Sequence, residues 1–514
     1  MNENEKALPE AGLAKPTPNA AEAEKKVYLS DGKEQWCLAL VFGFCVLFVD
    51  MMLSAPPVWL GLEATVTVAV WYGLVLAYAG KQVLARRENR FLLAVNLLLA
   101  LSLSLGSNEY FHLWNWGALL VLVPLHAVTL SGAAALPWWR PLMLWERLRL
   151  LGQGLFGNLG ATAQTLGATE EGKGKKLLSV GLGLAAVAGL LAVLVPMLAS
   201  ADALFGLATE SVRTFFQLHL SELLWKVLVG LVLTPFFFGL VYSIRRARPL
   251  QTPPVGRKAG TGLEAVTGVL ILVALDVLYA LFLAVQSAGL FGGAAYLEAR
   301  GISYADWARE GFFQLVFVTV LNLAVVMAVL CWSRSVDKKL RWLATVLVGE
   351  SLVLLCSAAW RMSLYVAEYG LSFKRCMTYW GMGVMAVLLA AAALKIWRKE
   401  FAFCRVAFLT AVCAWVAVSF VPVDYLVAQD LVSRYLDGRN EIVSVYYLTE
   451  QLSFDTLGPL ERLDQSVPAH GYTPEWYPGG ETLGQVLAGR RTDAVVRCQS
   501  WRMWTLSAYL AGRG

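Results

Sequence analysis

Apolar runs about as long as a membrane crossing recur along the chain from Trp36 to Val421, divided by short polar gaps. A transmembrane helix needs about 20 mostly apolar residues, with a range of about 17–25. Eleven segments meet that requirement: 36–53, 58–80, 91–107, 112–131, 177–198, 223–242, 263–290, 311–332, 342–366, 376–397 and 402–421. Pro56 and Pro57 divide the first two, because proline has no amide hydrogen to continue a helix. The pattern predicts an all-α polytopic membrane protein of about eleven transmembrane helices.

The gaps carry a second pattern. Every second gap is basic, with clusters at Lys81–Arg90, Arg140–Lys176, Arg245–Lys258, Arg334–Arg341 and Lys395–Arg405. These five gaps hold 23 Lys and Arg, and the alternate ones hold five: Arg213, Arg300, Arg309, Lys374 and Arg375. Basic loops stay in the cytoplasm, which predicts an N-terminus inside and, after eleven spans, a C-terminus outside. The expected organisation is a disordered cytoplasmic tail at 1–35, a helical bundle at 36–421 and a small extracytoplasmic domain at 422–514. Within the bundle, 132–176 is an amphipathic cytoplasmic loop. The implied setting is a cell membrane.

Composition agrees. The 514 residues are 58% hydrophobic and 16% charged, against about 45–50% apolar and about 25% charged for a soluble domain. The net charge of +6 is spread over many short loops, so no nucleic-acid partner is indicated, and the lipid bilayer is the first partner. The four histidines are too scattered for a metal site, and no cofactor is expected. Of the eight cysteines, Cys376 and Cys498 fall on the same predicted side, where a disulfide between them is chemically allowed. No Walker loop, HExxH, GxSxG or kinase signature is present.

Three regions do not span. Leu142, Trp145, Leu148, Leu151, Leu155 and Phe156 recur at helical spacing, with Arg147 and Arg149 among them. This reads either as an amphipathic helix on the cytoplasmic leaflet or as a packed loop helix. In the gap from Phe291 to Glu310, Gly292-Gly293 is expected to break the chain. There Ser303 and Asp306 resemble a capping box, and Tyr304 and Trp307 suit the lipid–water boundary. The tail from Pro422 mixes helix-like stretches with turns and is long enough for a small domain.

Ionisable groups inside spans are costly and by default mark function or specific pairing. Asp50, Glu63, Lys226 and Arg361 fall near the outer boundary, where they are expected to reach water. Asp276, Asn322 and Glu350 lie deeper. Asp276, Tyr279 and Gln286 share one helical face, as do Glu350 and Arg361, which are about 16 Å apart along their helix. These six residues point either to a polar pathway or binding pocket among spans seven to nine, or to a structural hydrogen-bond network.

Several local blocks resemble a known family. They are Leu198-Ala-Ser-Ala-Asp-Ala-Leu-Phe205, Gln286 to Gly293, Ser303-Tyr-Ala-Asp-Trp-Ala-Arg-Glu-Gly-Phe-Phe313, Arg361 to Ser372, Val423-Asp-Tyr-Leu426, and Trp501-Arg-Met-Trp-Thr-Leu-Ser507. In order and spacing they resemble the bacterial membrane proteins of the domain-of-unknown-function 4173 family, related to family 4153. The resemblance implies a bacterial integral membrane protein and brings no activity, ligand or catalytic residue. Gly292, Gly293, Tyr304, Asp306, Trp307 and Arg309 form its most specific, outer-facing part. The leading expectation is a binding or regulatory protein whose outer face, formed by spans seven to nine and the tail, holds an extracytoplasmic protein or small molecule. A transporter built on Asp276, Asn322 and Glu350 is the alternative. A lipid-linked glycosyltransferase ranks third, because its first outer loop would be only Ser54 to Pro57.

Overall fold

The computed structural model describes residues 32–54, 56–140, 143–166, 222–246, 264–298, 312–333, 336–398, 400–472 and 480–513. Among them the chain forms helices and no β-strand. Nine helices are long and apolar enough to cross a membrane. They are α1 (Gly32–Ser54), α2 (Leu62–Ala79), α3 (Arg87–Leu105), α4 (Glu109–Leu130), α7 (Glu222–Arg246), α8 (Ala265–Glu298), α9 (Phe312–Trp332), α10 (Lys338–Tyr369) and α11 (Phe373–Trp397). Between α4 and α7 come α5 (Met143–Gly157) and α6 (Leu159–Thr165). α12 (Phe403–Val418) and α13 (Val423–Leu436), bent by 57° at the break between them, pass the same test only when taken together as one span. Ten of the eleven expected spans therefore coincide with helices; the remaining one, 177–198, lies outside the described residues, as does nearly all of 1–35.

The bundle has two apolar cores. One joins α1 to α5 with α7, around Phe44, Trp71, Tyr72 and Phe238. The other joins α8 to α11, around Leu272, Leu340, Leu347 and Leu354. α12 bridges them: Trp415 Nε1 donates to Asn115 Oδ1 of α4 at 2.7 Å, and Trp380 Nε1 of α11 donates to Ala414 O at 3.0 Å. Outside these cores the surface is apolar. Val266, Leu270, Val277, Leu281 and Val285 of α8 and Phe317 of α9 are exposed, as expected of side chains that meet lipid rather than water.

The two ends of the bundle differ. At one end Glu34, at the start of α1, is fully buried and receives Arg245 and Arg246 from the end of α7. The basic residues Lys81 and Arg86 follow the end of α2, whose Tyr78 donates to Glu34, so they lie near this level. At the other end Asp50 pairs with Lys226 at 2.6 Å and with Arg502 of the tail at 2.9 Å. The start of α1 and the tail thus lie at opposite ends. Glu63 is also buried there, within Coulombic reach of Asp50, Arg502 and Lys226. The expectation that Asp50, Glu63 and Lys226 reach water is corrected: the tail covers them, so they form a buried charge cluster.

α5 resolves the loop-helix alternatives in an unexpected way. It turns its charged side inward. Arg147, 1% exposed, donates to Thr129 Oγ1 and Leu136 O and stacks over Trp138 at 4.5 Å. Glu146 accepts from Ala135 N and Leu136 N. Leu144, Trp145, Leu148 and Phe156 face outward. The packed side thus combines Glu146 and Arg147 with Leu150, and the outward side is mostly apolar with Arg149 among it.

The tail has its own core. It adds α14 (Val445–Glu450), α15 (Leu457–Leu460), α16 (Leu483–Gln499) and α17 (Leu506–Ala511) to α13. Val427, Val432, Leu448, Leu460 and Leu483 are buried together, with Phe111 of α4 reaching in. α16 opens with a capping box formed by Thr482 and Gln485. Cys376 and Cys498 border the same core as free thiols.

Candidate functional site

The motif blocks of the tail lock it to the bundle. Asp424, 2% exposed, accepts from Asn108 Nδ2 at 2.7 Å and from Ser453 N at 3.0 Å. Asn108 in turn N-caps α4 through Phe111 N. Ser107 Oγ pairs with Ser507 Oγ at 2.8 Å and accepts from Phe454 N. Gly61 N and Leu62 N, orphan donors at the start of α2, donate to Arg502 O and Trp504 O. Gly370 adopts φ +73°, which lets the chain turn from α10 to α11, and Leu371 N then donates to Asp430 of α13.

Between these fastenings lies a cavity of about 730 Å³. Its walls are the turn into α4 (Ser107–Tyr110), the start of α11 (Ser372–Lys374), the tail segment Tyr447–Phe454, and the face of α16 carrying Arg490, Asp493 and Arg497. Trp59, Tyr110, Phe373, Tyr447 and Phe454 supply aromatic surface. Tyr110 meets Phe373 edge-on at 5.2 Å, and Tyr447 Oη accepts from Phe373 N at 3.0 Å. Burial pushes the Tyr447 phenol up from its ordinary value.

The charges in this cavity are poised rather than paired. Glu109, Glu450 and Asp493 line it, as do Lys374, Arg490 and Arg497, and among the described residues no ion pair joins any two of these six. Arg490 stacks over the Phe454 ring at 4.9 Å and Arg497 at 5.9 Å. Each spends one donor on a backbone carbonyl, Leu452 O and Met503 O respectively. Arg490 Nε and Arg497 Nη2 are buried with no protein acceptor. Burial lowers the Arg497 guanidinium from its usual value, against the opposing pull of the Glu109 carboxylate. The N-termini of α4 and α11 also face the cavity and contribute partial positive charge.

The residues expected from sequence assemble elsewhere. Asp276 and Tyr279 of α8, Asn322 of α9 and Glu350 of α10 come together inside the second bundle. Asn322 Nδ2 donates to Ser351 Oγ at 3.0 Å, Tyr279 borders Asn322, and Glu350 is within Coulombic reach of Asp276. Arg361 is buried on α10, three turns from Glu350. Gln286, Gly292 and Gly293 fall on α8, which runs through the glycine pair unbroken, so the expected break there is corrected. Glycine keeps its backbone N–H and C=O, so it weakens a helix without breaking the hydrogen-bond ladder. Tyr304, Asp306, Trp307 and Arg309 lie outside the described residues. Of the expected residues, Asp276, Tyr279, Asn322, Glu350 and Arg361 are described with their side chains, and none of these five lines the cavity. Its own charges escaped notice because each reads singly as solvated. The available signal was Arg490, Asp493 and Arg497 at i, i+3 and i+7, which places all three on one helical face.

A family model described as a domain of unknown function, DUF4153, matches residues 92–463, well over half of the chain. The chain belongs to the DUF4153 family. No curated protein and no solved structure matches it. In this DUF4153 protein the matched stretch starts inside α3 and ends after α15. It therefore covers the α4, α11 and Tyr447–Phe454 walls of the cavity. Arg490, Asp493 and Arg497 lie beyond its end.

Proposed function

We propose that this protein is a binding and regulatory membrane protein of the bacterial cell surface, and that its tail cavity holds a small zwitterionic molecule of amino-acid or short-peptide type. The observation that carries this reading is the set of three acidic and three basic side chains around one aromatic-walled cavity, with no ion pair among them. Glu109, Lys374, Glu450 and Asp493 are exposed to water and Arg490 and Arg497 are half-buried, so the rim offers both signs to a ligand bearing both. A volume of about 730 Å³ is within the usual range for a small-molecule site. The segregation of basic gaps supports a cytoplasmic N-terminus for the 1–35 segment and an extracytoplasmic tail from 422 onward, so the cavity opens outside the cell. The affinity to family 4173 rests on the motif blocks.

The test is calorimetric titration of the detergent-purified protein with a free dipeptide carrying an aromatic side chain, beside the same dipeptide acetylated at its amine or amidated at its carboxyl. The free form is expected to bind, and each capped form at least about tenfold more weakly, as for loss of one charge-assisted contact. Arg497→Gln is expected to erase discrimination against the amidated form, and Asp493→Asn discrimination against the acetylated one. Equal binding of all three forms, or none by any, overturns the reading. Alkaline phosphatase fused after Gly514 is expected to be active, and an inactive fusion refutes the orientation.

A further inference from the structure

A separate site lies inside the second bundle. Asp276 is 8% exposed, and neither of its carboxylate oxygens has a hydrogen-bond partner. Oε2 of Glu350 and Oδ1 of Asn322 are likewise buried without one. Asn322 is 1% exposed. One hydrogen of its Nδ2 goes to Ser351, whose Oγ passes its own hydrogen to Leu347 O, and no bond from either residue reaches Asp276 or Glu350 Oε2. The cluster thus has four buried acceptor oxygens, and among the described residues none of them receives a hydrogen bond.

The groups that face the two acids from the packed elements are few. α8 contributes Tyr279, α10 contributes Glu350 to Asp276 and the reverse, and α9 has Cys331 at its far end as its only ionisable side chain. Arg361, on the same helix as Glu350, is about 16 Å away along the axis. Asp276 sits in the middle of an apolar crossing, where water does not screen charge. Two ionised carboxylates in that setting repel each other at low dielectric with no cation between them. One proton removes the conflict. It cancels one charge and creates the O–H donor that the orphan acceptors need.

We propose that Asp276 and Glu350, with Asn322 and Tyr279, form an exchangeable proton-binding site within the membrane bundle. The pair holds one proton at neutral pH, donated from one carboxyl to the other carboxylate or to Asn322 Oδ1. Divalent transition metals are poor candidates, because no group of three or more His, Cys, Asp or Glu is assembled among the described residues. The site lies apart from the tail cavity, so the two proposals stand or fall independently. A proton held between α8 and α10 gives the bundle a group whose charge follows the pH of whichever side reaches it, which is the element that coupled transport or pH sensing requires.

Infrared difference spectroscopy of the full-length protein in lipid nanodiscs tests this. The wild type is expected to show the carbonyl band of a protonated carboxylic acid at neutral pH, shifting in D2O and disappearing on alkaline titration. Asp276→Asn and Glu350→Gln are each expected to remove that band while the protein stays monodisperse on size exclusion. Ser351→Ala is expected to keep it, and serves as the comparison if either acid variant misfolds. A neutral-pH spectrum without the band overturns the proposal. So does a band that persists in both acid variants, or one that added NaCl displaces at constant pH, since the oxygens would then belong to a metal cation.

Discussion

The attachment of the tail to the bundle is concentrated at Gly61, which makes Gly61→Ala an informative perturbation. A Cβ on Gly61 would collide with Trp504 O and stand 2.9 Å from both Met503 C and Trp504 C. All three are backbone atoms, so no side chain can rotate out of the way. The two strands of chain must separate, and the separation breaks the bonds from Gly61 N to Arg502 O (2.9 Å) and from Leu62 N to Trp504 O (3.0 Å). Each backbone bond contributes about 0.5–1.5 kcal/mol net, and overpacking adds about 1–3 kcal/mol. The local cost is about 2–6 kcal/mol, and even the low end raises the population of the detached tail about 30-fold. Hydrogen exchange followed by mass spectrometry reads this directly: amides of Gly61–Ala64 and of the 500–512 segment are expected to exchange at least about 30-fold faster, with new tryptic cleavage after Arg502. Gly43→Ala in α1 is the control, because its added methyl meets nothing within 4 Å and alanine is the better helix former. Equal exchange in the two variants would refute the close-approach argument.

Asp50→Asn removes the carboxylate 2.6 Å from Lys226, which is 5% exposed; a loss of about 3–5 kcal/mol is expected, seen as a lower melting temperature in detergent and largely recovered by adding Lys226→Met. Arg147→Lys keeps the charge but not the fork that reaches Thr129 and Leu136 O; about 1.5–3 kcal/mol should be lost in the same assay, and a change within error would contradict the packed-helix account of α5. Burial raises the Asp455 carboxyl above its ordinary value, beyond what bonds from Ser507 and Ser453 offset. A carboxyl raised on folding favours the folded state below the ordinary aspartate value of about 3.9 and loses that contribution as pH rises through its folded value. Asp455→Asn is therefore expected to stabilise the protein relative to wild type at pH 7.5 and to lose this advantage by about pH 4; an advantage that grows on acidification would reverse the sign.

Much of this architecture is legible from runs of apolar residues alone. Ten of eleven expected spans meet helices within a few residues, because a stretch such as 376–397 has no other way to satisfy its backbone in lipid. The proline pair at 56–57 marks an end that the structure keeps. Single polar residues in spans were also informative. Asp276, Asn322 and Glu350 stand out against apolar neighbours, and they do converge. The misread groups sit at boundaries. Asp50 and Lys226 are positioned to reach water if nothing lies above them, and the tail, more than 270 residues further on, lies above them. Gly292-Gly293 carries strong local punctuation, yet α8 continues through it.

The chain's own hydrophobic and basic patterning determined the solvent, the helical class and the alternation of loops, since each follows from local length and charge. The cavity is different. Tyr110 of α4, Phe373 of α11, Tyr447 of α14 and Arg497 of α16 are ordinary boundary or surface residues until the folded tail brings them to one wall. Whether a charge ends beside water, beside an opposite charge or alone in a cavity depends on neighbours hundreds of positions away. That is a property of packing, which local sequence does not encode and which the tertiary structure alone decides.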